Sequence, residues 1–158
     1  NIYNDADIII FSYNLYAVNL SSKQLNERIA FTKRISDIVQ KDNKKAIFAI
    51  NSPNFNTPIN PLLYLIEIKK IKNKDIIDKE MYKLLSKKFH SFSSNLIDFL
   101  RNNKIEHINL FDIYCDNFLK SCNYINDSSS VLFSDFVHLT SDGKIYLANK
   151  LYKLYGKF

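Results

Sequence analysis

Short runs of consecutive apolar residues constrain the fold of this chain more than any other feature. Ile8 to Phe11 forms one such run inside a predicted strand from Asp7 to Ser12, and a second run predicts a strand from Ala46 to Ile50. A strand that is apolar on both faces is typical of a parallel sheet with helices packed against it. A third strand is predicted from Ile105 to Phe111, where apolar and polar residues are mixed.

The segments between these strands carry apolar residues at helical spacing. Helices are predicted over Leu25 to Val39, over 62–71, from 75 to about 103, and after Thr140. Strands that alternate with helices predict an α/β fold, a three-layer sandwich with a central parallel sheet. With 158 residues and neither linker nor internal repeat, the chain is expected to form a single domain over 1–158.

The net charge of +6 does not by itself indicate a nucleic-acid partner. The densest basic clusters, Lys69-Lys70-Ile71-Lys72 and Lys87-Lys88, lie in stretches with helical apolar spacing, which favours solvated helix faces. A basic face near anionic lipid or an acidic glycan is compatible with the charge. No stretch approaches the roughly 20 apolar residues of a membrane span.

The two cysteines, Cys115 and Cys122, lie close together in a predicted polar loop. Metal binding needs more ligands, and no histidine lies near them, so neither a metal nor a cofactor is expected. A disulfide that closes a short loop is the favoured interpretation and would indicate an oxidising compartment. Two unpaired thiols are the alternative.

The segment with the most chemical information runs from Leu132 to Gly143. A general base needs an imidazole within reach of a hydroxyl and a carboxylate that orients the ring. Asp135 and His138 are three residues apart before a predicted helix, so one turn can bring the carboxylate to the imidazole. Thr140 as N-cap fixes where that helix begins, and Gly143 leaves room for close backbone packing.

This segment, Asp135-x-x-His138-Leu139-Thr140-x-x-Gly143, resembles the last conserved block of the SGNH hydrolases, whose Asp and His serve a catalytic serine. Segments 6–14, 46–55 and 108–122 resemble, in the same order, parts of the SGNH domain that is fused to acyltransferase-three membrane proteins. The resemblance implies an SGNH-type, flavodoxin-like catalytic domain with paired cysteines. It also implies an extracytoplasmic location, periplasmic or on the cell-surface side, and a membrane acyltransferase domain in the full-length protein.

One departure from the family pattern concerns the nucleophile. The family's Gly-Asp-Ser block is absent from this sequence, and the chain opens without an initiating Met, so we expect a C-terminal fragment that lacks its first strands. Ser12, at the end of a predicted strand, is an alternative nucleophile, although its neighbours do not provide a glycine-assisted turn. Asn14 is a candidate oxyanion donor by resemblance and equally a turn-capping residue.

The resemblance implies an O-acyltransferase that moves an acetyl group from an acyl donor to a hydroxyl of a cell-surface glycan. Its mechanism would be covalent, with an acyl-serine, His138 as base and Asp135 holding the imidazolium. A stand-alone SGNH esterase or deacetylase is the near alternative, because hydrolysis differs only in the acceptor. A non-catalytic glycan-binding or interaction domain without a nucleophile is the third.

Overall fold

The structure is a computed structural model that describes residues 6–12, 22–57, 60–70, 73–135 and 138–156. The chain divides into two compact units. The first unit comprises Asn1–Asn51 and Lys88–Asn109, and the second comprises Ser52–Lys87 and Leu110–Phe158.

A parallel sheet forms the centre of the first unit. Its strands are β1 (Ile8–Ser12), β2 (Lys45–Ile50) and β3 (His107–Asn109), in the order β1-β2-β3. Both pairings are parallel, with Ile10 opposite Ile47 and Ile50 opposite Asn109. The predicted α/β class with a central parallel sheet is therefore confirmed.

Two long helices of the first unit, α1 (Ser22–Lys41) and α4 (Lys87–Asn102), contribute to the cluster that covers one face of the sheet. Phe48 of β2 belongs to this cluster, together with Val39 of α1 and Leu100 of α4. Ile47, on the opposite face of β2, is buried as well. Strand β2 is thus shielded on both faces, which explains why its sequence is continuously apolar.

Strand β1 forms an edge of the described sheet. Ile10 is 39% exposed there, although it lies in the apolar run that predicts a buried strand. The predicted burial of this strand is therefore incomplete at Ile10, because no described strand pairs with β1 on its outer side.

The second unit is mainly helical. Its helices are α2 (Pro61–Leu63), which continues as a π-helix over Tyr64–Ile68, and α3 (Lys74–Lys83), α5 (Leu110–Tyr114) and α6 (Ser141–Tyr155). A hairpin of β4 (Cys115–Asp116) and β5 (Ser121–Cys122) follows α5. Among the described residues, no helix combines the length and apolar character that crossing a membrane requires.

Two predicted elements were wrong in extent. The strand predicted over Ile105 to Phe111 is only three residues long, because Leu110 and Phe111 begin α5. The helix predicted from 75 to about 103 is two helices, α3 and α4. Between them Leu85 forms a β-bridge with Phe55, and the backbone N–H of Ser86 donates to Asn54 O at 2.8 Å.

The segment that contains the cysteines is also more regular than the predicted polar loop. Cys115 and Cys122 face each other across the antiparallel pair of β4 and β5. They are joined by a disulfide, which confirms the predicted pairing.

Candidate active site

A narrow loop before α6 carries the Asp-x-x-His pattern. Backbone hydrogen bonds close it, from Ser134 N to His138 O at 2.8 Å and from Thr140 N to Leu132 O at 3.0 Å. Phe133 and Leu139 add an antiparallel bridge between the two sides. Residues 136 and 137 lie outside the described residues. The closure brings Asp135 and His138 to the same end of the loop.

Asp135 holds His138 at two points. Its Oδ2 lies 2.6 Å from His138 Nδ1, and its Oδ1 accepts the backbone N–H of His138 at 2.8 Å. A carboxylate on Nδ1 favours the tautomer with the proton on that nitrogen, which makes Nε2 the basic nitrogen of the neutral ring. The His138 side chain is 62% exposed and that of Asp135 is 37% exposed, so the pair lies at the surface of its unit.

The first turn of α6 holds the C-terminal end of the loop in place. The Thr140 hydroxyl accepts the N–H of Gly143 at 3.0 Å and donates to Val131 O at 2.6 Å. A Cβ added to Gly143 would lie only 2.0 Å from Leu132 O. The predicted N-cap at Thr140 and the close packing at Gly143 are both confirmed.

Buried aromatic rings support the loop from within the second unit. Phe133 is fully buried, and its ring centroid lies 4.9 Å from that of Tyr114, 5.4 Å from Tyr124 and 5.5 Å from Phe55. Aromatic contacts at these separations stabilise the packing beyond the apolar area that they bury. The buried ring of Phe133 therefore anchors the loop directly before Ser134.

Tyr124 and Asn60, which sequence reasoning did not single out, also contact the loop. The Tyr124 hydroxyl donates to Asp135 O at 3.4 Å. Burial, and then the negative charge of Asp135, raise the pKa of Tyr124 above its ordinary value, so the phenol stays protonated and remains a donor. Asn60 Nδ2 donates to Ser134 O at 2.6 Å, while its Oδ1 caps α2.

A sequence signal existed for only one of these two residues. Asn60 followed by Pro61 has the form of an N-cap with proline at the first helical position. That signal indicates a helix start but not a contact with the loop 74 residues later. Tyr124 follows a cysteine in a polar stretch, and no local pattern distinguishes it from an exposed tyrosine.

The predicted nucleophile and oxyanion donor belong to a different part of the chain from the Asp135–His138 pair. Ser12 ends β1 in the first unit, opposite Ala49, and its role remains a prediction. Asn14 lies outside the described residues. Ser134 is next to Asp135, but its hydroxyl donates to the backbone oxygen of His138 at 3.2 Å.

A second polar feature lies in the first unit at the carboxyl ends of β2 and β3. Asn51 Nδ2 donates to Asn109 Oδ1 at 2.7 Å, and Asn51 is buried with a φ of 60°. The Oδ1 of Asn51 has no hydrogen-bond partner among the described residues. An amide in the left-handed region with an unsatisfied oxygen is a costly arrangement.

No metal site accompanies the pair. In the described ranges, no group of three or more His, Cys, Asp or Glu side chains is arranged to hold a metal ion. The pair consists of an exposed imidazole with a carboxylate on its Nδ1, in a loop that is fixed at both ends, and such an arrangement can act as a general base.

Solved structures share the α/β fold of this chain. Neither a protein-family model nor a curated protein matches the chain. The periplasmic domain of a lipopolysaccharide acetyltransferase from Salmonella ser. Paratyphi A is similar in structure, with a TM-score of 0.71 and 19% identity. The alignment covers 96% of this chain and 57% of that one.

Two enzymes from Bacteroides share the fold less closely. A GDSL-like lipase from Bacteroides thetaiotaomicron has a TM-score of 0.53 and 11% identity over 94% of this chain and 61% of its own. A candidate acylhydrolase from Bacteroides fragilis has a TM-score of 0.54 and 12% identity over 94% and 60%. The chain therefore spans about three fifths of the length of the structures that it resembles.

Proposed function

We propose that this chain carries the base and the orienting carboxylate of a serine-dependent O-acyltransferase that acetylates hydroxyls of a cell-surface glycan. The observation that carries the proposal is the two-point contact between Asp135 and His138, at 2.6 Å and 2.8 Å. A carboxylate on Nδ1 orients the ring and stabilises the imidazolium that forms when Nε2 takes a proton.

The proposed reaction has two steps. A serine hydroxyl attacks the carbonyl carbon of the acyl donor while its proton passes to His138 Nε2, and the leaving group departs with that proton. A sugar hydroxyl then attacks the acyl-serine and gives its proton to Nε2, from which it returns to the serine oxygen as the ester forms on the sugar. Asp135 remains ionised throughout and balances the charge on the imidazolium.

Two further observations support the transferase and its location. A lipopolysaccharide acetyltransferase domain is among the structures similar to this chain, although the chain covers only 57% of it. The Cys115–Cys122 disulfide supports an extracytoplasmic, oxidising compartment, where a glycan acceptor would be found. A membrane acyltransferase domain in the full-length protein would supply the acyl group.

A stand-alone esterase is the second candidate, favoured by the likeness to a GDSL-like lipase. The same residues would serve it, since water replaces the sugar hydroxyl in the second step. A glycan-binding domain without a nucleophile is the outcome that remains if no serine reacts.

The test is active-site labelling of the full-length protein with a fluorophosphonate, which reacts with serines activated by a neighbouring base. We expect one serine to be labelled, and replacement of His138 by Ala or of Asp135 by Asn to slow labelling by roughly 10³- to 10⁴-fold. Ser134→Ala is the matched control, because it removes a hydroxyl beside the pair without touching the imidazole, and should change the rate little.

Peptide mapping of the labelled protein identifies the nucleophile. A label on Ser12 that Ser12→Ala abolishes would establish the alternative nucleophile, whereas a label elsewhere would reject it. Labelling that is indifferent to His138→Ala would contradict the proposal. If the full-length protein does not react with the fluorophosphonate, the glycan-binding function is the remaining candidate. Transfer is separated from hydrolysis by adding oligosaccharide acceptors and measuring acetylated sugar against free acetate.

A further inference from the structure

The hairpin formed by β4 and β5 presents two large apolar side chains to solvent. Phe118 is 91% exposed and Leu119 is 61% exposed, at the tip between the two cysteines of the disulfide. Single exposed apolar residues are ordinary on protein surfaces. A nearly fully exposed phenylalanine next to an exposed leucine is less ordinary, because the two side chains form one exposed apolar surface.

Hydrogen bonds hold the hairpin tip in one shape. Asp116 Oδ1 accepts the backbone N–H of Phe118 at 2.7 Å and that of Leu119 at 2.8 Å. Asn117 Oδ1 accepts the Tyr82 hydroxyl at 2.7 Å, which ties the tip to α3. With the disulfide at its base, the tip is pre-organised, so inserting it into a partner costs little conformational entropy.

The surface beside the tip is basic. Leu119 and Lys120 line a hollow of about 230 Å³ with α3 residues that include Ile76, Lys79 and Lys83. Ile76 is itself 49% exposed and extends the apolar surface. The hollow contains three lysines and one acidic residue, Glu80, which pairs with Lys83. Asp112, Asp116 and Lys150 line the hollow on the Phe118 side of the tip, so the two hollows together carry a net charge of +1.

We propose that this hairpin docks the domain on an anionic phospholipid surface. Phe118 and Leu119 would enter the boundary between headgroups and acyl chains, while Lys79, Lys83 and Lys120 meet the lipid phosphates. Aromatic and aliphatic side chains flanked by lysines are the composition that such interfaces bind, and lysine stems can lie along the apolar region while their ammonium groups stay at the phosphates.

The size of the apolar tip favours lipid over a protein partner. A stable protein interface buries about 800 Å² on each side, and two side chains with Ile76 beside them are too few for that. Membrane docking needs no complementary surface, because a few inserted side chains add to the attraction of the lysines. This inference does not depend on the catalytic proposal, so either can fail without the other.

The sequence contains no tryptophan, which allows a clean reporter. We would mix the 158-residue chain carrying Phe118→Trp with vesicles of phosphatidylcholine and phosphatidylglycerol at three to one, and with vesicles of pure phosphatidylcholine. We expect co-sedimentation with the anionic vesicles, a blue shift of the tryptophan emission and quenching by brominated acyl chains. Phe31→Trp is the matched control, since Phe31 is a 54% exposed phenylalanine on α1; its emission should not shift.

Two variants that lack the tryptophan reporter separate the apolar contribution to vesicle binding from the electrostatic contribution. Phe118→Ser with Leu119→Ser should lower the vesicle partition coefficient about tenfold or more. Lys79→Gln with Lys120→Gln should lower it on anionic vesicles by roughly tenfold or more and weaken its dependence on salt. Unchanged melting temperatures would show that the variants remain folded.

The proposal is overturned if the chain does not bind anionic vesicles, or if the serine variant binds them as the parent does. An unshifted emission from Trp at position 118 in the bound state would overturn it as well. Self-association in the absence of vesicles that the serine variant abolishes would assign the tip to a second copy of the chain instead.

Discussion

Replacement of Gly143 by alanine tests how the end of the candidate site is built. Gly143 lies in the first turn of α6, and its Cα faces the backbone of Leu132 so closely that an added Cβ would meet Leu132 O at 2.0 Å and Leu132 C at 2.9 Å. The atoms that the added Cβ would meet belong to the backbone of Leu132, which cannot change rotamer as a side chain can. Leu132 is fully buried, and its carbonyl accepts the Thr140 N–H.

The cost follows from what must move. Relief of a 2.0 Å contact requires α6 and the Leu132 backbone to separate by about 1 Å, at a typical overpacking cost of about 1–3 kcal/mol. The Thr140 cap and its bond to Leu132 would weaken, adding about 1 kcal/mol, while the better helix propensity of alanine returns a similar amount. We expect a net loss of about 1–3 kcal/mol, which lowers the melting temperature by roughly 2–12 °C.

Thermal and denaturant unfolding measure this loss, and Gly156→Ala is the matched control. Gly156 is the other glycine of the chain, with a φ of 77° and no described atom within 4 Å of an added Cβ. Alanine at position 156 would be strained only by this positive φ, at the end of α6. We expect it to lower the free energy of unfolding by about 1 kcal/mol or less. A Gly143→Ala variant no less stable than the Gly156→Ala variant would refute the steric argument.

Three further expectations follow. Cys115→Ala with Cys122→Ala should lose about 2–3 kcal/mol in denaturant unfolding, given a sequence separation of 7; a midpoint equal to that of the parent contradicts this. Burial raises the pKa of the Tyr114 and Tyr124 hydroxyls above the ordinary value of about 10. The folded state therefore keeps protons that the unfolded state loses, so their contribution to stability is complete below about pH 10 and falls as pH rises further. Melting curves with phenolate absorbance should show this fall, and a smaller one when either tyrosine becomes Phe; a flat profile excludes it. Asn51→Asp should cost about 3 kcal/mol at neutral pH and recover in acid, because a buried carboxylate replaces an amide donor; equal denaturation midpoints at both pH values would rule this out.

The features that the sequence predicts correctly are those with local causes. Strands β1 and β2 follow from continuous apolar runs, and the start of α6 follows from Thr140, whose hydroxyl reaches only three residues ahead. Asp135 and His138 are likewise three residues apart, so a single turn brings them together. The Cys115–Cys122 pairing belongs to the same class, because its members are only seven positions apart in the sequence.

The errors arise where distant contacts decide the structure. Leu110 and Phe111 are apolar residues directly after the short strand β3, and a short apolar segment fits a strand and a buried helix equally well. The break between α3 and α4 contains neither glycine nor proline. It is made by the bridge between Leu85 and Phe55, thirty residues earlier, which no local pattern reveals. The same applies to Tyr124 and Asn60 at the candidate site.

The local origin of the Asp135–His138 pair bears on the function of the chain. The Asp135–His138 geometry is determined by hydrogen bonds within a loop of about ten residues and by one ring, Phe133, that anchors it. Such a locally determined pair would keep its geometry whether or not a serine ever approached it. Because the geometry of the pair is the same for an enzyme and for a binding domain, the distinction between these two proposed functions depends on the serine. Labelling of that serine, and its dependence on His138, distinguishes the two functions more sharply than any refinement of the pair itself.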